Sequence, residues 1–86
     1  MQGAKYIMYS ETDFIIFPAT QDHIAMHQAY ANEYKKPISA GFCTIEVVMD
    51  QYDTPRHKVQ AYGNSYSLGL SARPEDGKFM SCGLSI

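Results

Sequence analysis

Tryptophan is absent from this chain, and arginine occurs only twice, at Arg56 and Arg73. Seven Lys and Arg against nine Asp and Glu give a net charge of −2. That lacks the clustered basic surface that phosphate binding requires, and it is too weakly acidic to mimic DNA. Gly69 has no glycine partners at the spacing of a phosphate-cradling loop. No apolar run reaches the length of a membrane span. No basic region followed by a long apolar run stands near Met1, so a signal peptide is not expected and the cytoplasm is the expected compartment. The two cysteines, Cys43 and Cys82, are then expected as thiols rather than a disulfide.

Hydrophobic residues make up 45% of the 86, and seven Tyr with four Phe favour one folded domain over residues 1–86. Tyr suits half-buried sheet faces and interfaces, because its ring is apolar and its tip polar. Residues 5–9 (Lys-Tyr-Ile-Met-Tyr) read as a strand and 14–17 (Phe-Ile-Ile-Phe) as a second, stopped by Pro18. The polar break between them predicts an antiparallel hairpin. The second strand is apolar on both alternating sets, so a helix is expected on one side and another layer or a second subunit on the other.

Thr20 is the expected N-cap of a helix over 21–34, with Asp22 in its first turn. At 100° per residue Ile24, Met26, Tyr30, Ala31 and Tyr34 share one arc, and His23 and His27 fall inside it. Lys35 and Lys36 then complement the helix end. Residues 38–49 form the longest β-like run, 50–56 a polar loop, 58–62 a fourth strand and 65–70 a short fifth. Pro74, Glu75 and Asp76 start a terminal helix expected to be short and marginal, weakened by Gly77 and ending near Cys82. The class is α+β: ββαββ with a short C-terminal helix, a mostly antiparallel sheet and one main helix packed on it.

Catalytic signals are weak. Cys43 lies mid-strand, where a thiol is an inert small hydrophobe. Glu46 and Asp50 stand about 13 Å apart at strand rise, too far for a paired-carboxylate site. No catalytic residue, cofactor or metal is therefore assigned. His23 and His27, four apart on a helix, could both reach one metal. His57, Asp22, Glu46, Cys43 and Cys82 are the available further ligands, none at a motif spacing.

Ser67-Leu68-Gly69-Leu70 followed by Arg73-Pro74-Glu75-Asp76 resembles the ending of a set of small uncharacterised bacterial and phage-type proteins. Phe17-Pro18 and Ser39-Ala40-Gly41-Phe42 are similar to segments of the same set. The resemblance implies origin and fold more than activity. It points to a non-enzymatic accessory protein, phage or prophage encoded, acting by protein–protein contact that could inhibit a host component. The expected interface residues are Arg73, Tyr62, Tyr66 and Phe17, and the expected state is a two-fold homodimer. Arg73 in particular stands where a helix start does not favour a cation, so a carboxylate partner is expected for it. The first alternative is a metal- or small-ligand-binding domain centred on His23 and His27. The second is a nucleic-acid-binding module, favoured only if folding gathers Lys35, Lys36, Arg56, Lys58 and Arg73 on one face.

Overall fold

A computed structural model describes residues 2–31 and 35–84. The class is α+β as expected. Strands β1 (Gln2–Met8), β2 (Phe14–Pro18), β3 (Ser39–Met49) and β4 (Pro55–Tyr62) form one sheet in the order β2-β1-β3-β4, and each neighbouring pair is antiparallel. Helix α1 (His23–Tyr30) follows β2, and α2 (Asp76–Leu84) follows two two-residue strands, β5 (Asn64–Ser65) and β6 (Leu70–Ser71), paired only with each other.

The alternation of the strands builds two apolar layers. Tyr6, Met8, Cys43 and Val59 point to one face and pack with Met80 of α2, joined by Phe14, Ile16 and Ile45. Ile7, Phe17 and Ala40 point to the other, with Tyr9 and Ala31, and are covered by Met26 of α1 and by Leu68 and Leu70. The doubly apolar β2 is therefore covered twice from within its own chain. The second layer is α2 rather than another subunit.

Several boundaries differ from the sequence reading, each for a local reason. The first helix starts at His23 with Asp22 as its N-cap, because 18–21 closes a turn through Gln21 N–H to Pro18 O (3.0 Å). Ile24 and Tyr30 are exposed while His23 is buried, so the helix turns its imidazole inward rather than the full apolar arc. The expected residues 32–34 of that helix lie outside the described residues. The expected fifth strand over 65–70 is instead a hairpin whose turn uses Gly69 at φ 67°, a conformation open to glycine. The polar loop 50–56 is tighter: Asp50 accepts from Tyr52 N–H and Thr54 N–H with Oδ1 (2.8 and 3.0 Å), and β4 begins at Pro55.

The terminal helix is the larger correction. It runs to Leu84 and contributes Met80 to the core. It lies against the outer edge of β4, where Val59 N–H donates to Ser81 Oγ (2.8 Å) and Ser81 donates in turn to Gly77 O (2.7 Å). An edge strand is thus capped by a helix. Gly77 is there because a Cβ would stand 2.5 Å from Val59 O, not because the helix is weak.

β1 begins at Gln2, opposite Ile45, so residues 46–49 of β3 and 55–58 of β4 continue as a two-stranded arm beyond the body. At strand rise the arm reaches about 15 Å. The radius of gyration, 12.9 Å, exceeds the roughly 12 Å of a compact domain of this length.

Candidate functional site

Four places gather chemistry-bearing side chains. The most buried is the start of α2. Asp76 is wholly buried, and its Oδ2 accepts from the Tyr6 hydroxyl (2.5 Å) and Arg73 N–H (3.1 Å). Its Oδ1 accepts from Arg73 Nε (2.9 Å) and lies 2.8 Å from Arg73 Nη2. Burial pushes the carboxyl up, but Ser39, Tyr6 and Arg73 outweigh it and hold it below the ordinary carboxylate range. The Ser39 hydroxyl adjoins the group without a well-formed hydrogen bond of its own among the described residues. Burial and Asp76 together push the Tyr6 hydroxyl well above its usual range, so it stays a donor. Every strong group here is consumed by another, which makes the cluster a lock on α2.

The two histidines diverge. His23 Nε2 lies 2.9 Å from Gly41 O. A carbonyl only accepts, so this nitrogen carries the proton and cannot bind a metal. Its ring is held edge-on between Phe17 and Phe42, with centroids at 5.5 and 6.1 Å. His27 instead stacks on Tyr9, and its Nδ1 meets the Tyr9 hydroxyl at 2.7 Å. Among the described residues no three His, Cys, Asp or Glu are placed around one ion. The reading of His23 and His27 as one metal pair is corrected on these bonds. Melting is accordingly expected to be unchanged by EDTA, since a structural metal would couple to folding. A chelator-induced fall in Tm of several degrees would restore the metal reading.

Around His27 lies a third cluster. Asp13 accepts from Tyr30 (2.6 Å) and Lys35 (2.7 Å), and the Lys35 ammonium stands 5.1 Å from the Tyr30 ring centroid. Lys35 and Tyr30 hold the Asp13 carboxyl down. Burial, then Tyr30 and Asp13, push the Tyr9 hydroxyl up to about 12. These groups tie α1 and the segment after it to the β1–β2 turn.

The fourth place is the arm and the surface at its root. Val47 is 61% exposed and Met49 59%, and both point to the face that carries α2. Beside them an open groove of about 690 Å³ is lined by Ala4, Ile16, Pro18, Ile45 and Val47. No Asp, Glu, Lys or Arg lines it, and His57 is its one titratable lining side chain. The opposite face carries Phe42 stacked on Tyr62 (5.9 Å, 23°), with the Lys5 ammonium 5.8 Å from the Phe42 centroid.

The expected interface residues part company. Tyr62 and Tyr66 are exposed, at 49% and 91%. Phe17 is 4% exposed and packs on His23, so its assignment to a partner surface is corrected: it is a core side chain. Arg73, expected at a tertiary or intermolecular contact, instead spends its guanidinium on Asp76, three residues along its own chain, with Nη2 also reaching Met8 Sδ at 3.5 Å. The five basic residues are not gathered: Lys35 serves Asp13 and Arg73 serves Asp76. Cys43 is buried and Cys82 exposed, both as free thiols. Burial pushes the Cys43 thiol up to about 11, the wrong direction for a nucleophile. The sequence reading missed Tyr6 and Ser81. The i,i+3 spacing of Arg73 and Asp76 was a readable signal for the lock, whereas Tyr6 lies 70 residues away.

None of the described helices is long and apolar enough to cross a membrane. Comparison with protein-family models, with curated proteins and with solved structures returns no match to this chain.

Proposed function

We infer that this chain is a non-enzymatic accessory protein of the cytoplasm that works by protein–protein contact and self-associates as a two-fold dimer. One observation carries the reading. The arm presents Val47 and Met49 as an apolar ridge on the same face as a groove floored by Ala4, Ile16 and Ile45, with His57 as its one titratable lining side chain. A ridge and a groove side by side on one face are self-complementary under a two-fold axis, which brings the same patch to both subunits. Contiguous apolar surface of this kind is what interaction sites present.

The likeness of the segment from Ser67 to Asp76 to phage-type proteins supports a phage or prophage origin. On that footing, contact with a host component is the natural use of such a surface. Sedimentation at micromolar concentration is expected to give twice the 9.7 kDa chain mass. Val47→Glu, exposed in the monomer and so without effect on folding, is expected to return the chain to monomer. A wild-type protein sedimenting as a monomer sinks the dimer.

A further inference from the structure

We propose that the sheet face opposite the groove is a binding surface for single-stranded nucleic acid, with bases stacking on Tyr62 and phosphates following β4 toward the arm. The sequence argues against nucleic acid from the charge of the whole chain. The fold gathers three of its cations beside exposed aromatic rings on one face. Arg56, Lys58, Gln60 and Tyr62 alternate along β4, so all four project from this face, and all four are exposed. Lys5 of β1 joins them on the same side. Glu46, opposite Lys58, and Asp22 at the rim are the nearby acidic side chains, while Arg56 Nε also meets Asp50 (3.1 Å).

The aromatic part is built rather than incidental. Phe42 is held by His23 at its edge and by Tyr62 on its face, which fixes the Tyr62 ring with about half of its surface in solvent. Gly63, at φ 74°, lets the chain turn away directly after Tyr62; a Cβ there would meet the Phe42 ring at 3.0 Å. Next to this pair a recess of about 320 Å³ is lined by Lys5, Phe42, Asn64, Ser65, Tyr66 and Ser67, together with His23 and the Asp22 carboxylate. It offers a cation, hydroxyls, an amide and a 91% exposed ring at one place. Those are the groups that engage phosphate, base edge and base face of an unpaired nucleotide.

Spacing favours a strand over a duplex. Side chains on one face of β4 repeat every about 6.8 Å, twice the roughly 3.4 Å charge spacing along a stacked DNA strand. A strand whose bases are drawn apart fits that repeat. Three cations imply a modest, salt-sensitive affinity, with a log–log salt slope of about −0.7 per phosphate engaged. The ridge and groove lie on the other face, so the inference does not rest on self-association, and Val47→Glu separates the two.

The test is fluorescence anisotropy with labelled oligothymidylate of about 10 nucleotides, within the range one small domain covers. At about 50 mM salt the wild type is expected to bind with a Kd of about 1–100 μM, weakening by about 200 mM. Tyr62→Ala is expected to weaken binding roughly tenfold or more while Tyr62→Phe retains it, because the ring is what stacks. Lys58→Glu should weaken binding and flatten the salt slope, and Val47→Glu should leave binding unchanged. Unchanged melting of Tyr62→Ala shows that its loss is local. Three results each overturn the proposal: no anisotropy change at about 100 μM protein in low salt; equal binding of duplex with no effect of Tyr62→Ala; or thymidine monophosphate binding as tightly as the strand.

Discussion

Asp76→Ala is expected to lower the stability of the fold by about 3 kcal/mol, the lower end for breaking a buried pair, because Arg73 keeps access to solvent. For a domain of this size that corresponds to a fall of roughly 12–24 °C in Tm. The substitution strands the buried Tyr6 hydroxyl and removes the carboxylate that accepts from both the side chain and the backbone N–H of Arg73. Asp76→Asn keeps the volume but turns an acceptor into a donor facing Arg73, so it should recover little. The folded carboxyl lies below its unfolded value of about 3.9. Its stabilisation is therefore complete above that value and is lost as pH falls through the folded value. Acid denaturation of the wild type should steepen below about pH 4, and Arg73→Ala should move that transition to higher pH. A guanidinium titration in which Asp76→Ala loses less than about 1 kcal/mol would show that the carboxylate does not hold α2.

Gly77→Ala should destabilise the protein, although alanine is the better helix former by about 1 kcal/mol. The new methyl would sit 2.5 Å from Val59 O and 3.3 Å from Ala61 N, backbone atoms of β4 that cannot rotate aside. Relief requires α2 to lift from the strand edge, which strains the Val59 N–H bond to Ser81. Overpacking of this kind costs about 1–3 kcal/mol, and loss of the edge bond adds to it. The expected net loss is about 2 kcal/mol. Gly3→Ala is the control, since nothing lies within 4 Å of its added Cβ; it should stay within about 0.5 kcal/mol. A Tm for Gly77→Ala at or above the wild type would falsify the close approach.

That sign change marks what a sequence can and cannot convey. Residue alternation and turn chemistry located the first four strands, because burial on two faces writes itself into runs such as Phe14-Ile15-Ile16-Phe17. The same run could not say what covers each face; α2 covers one through Met80 and Phe79, and Met26, Leu68 and Leu70 cover the other. Gly77 carries a propensity penalty visible in any sequence, but the reason for it is a strand 16 to 18 residues earlier. The arm was hidden because its outer residues alternate just like its buried ones. Only the length of β1 decides where cover stops. The histidines looked like a pair because helical spacing aligns them, yet the backbone carbonyl of Gly41 and the Tyr9 hydroxyl claim one each.

The Tyr6–Asp76 bond has a consequence for the order in which the chain folds. It joins residues 70 apart, whereas the arm turn closes across four, Asp50 to Thr54. Closing the longer loop costs about 2.5 kcal/mol more in chain entropy by logarithmic scaling. The β3–β4 hairpin can therefore nucleate early and locally, while the bond between the first strand and the last helix is completed late. A late-formed contact acts mainly on the unfolding rate. Protonating Asp76 should thus leave refolding almost untouched and shorten the lifetime of the folded protein, so that acid sets how long the native state persists rather than how fast it is reached.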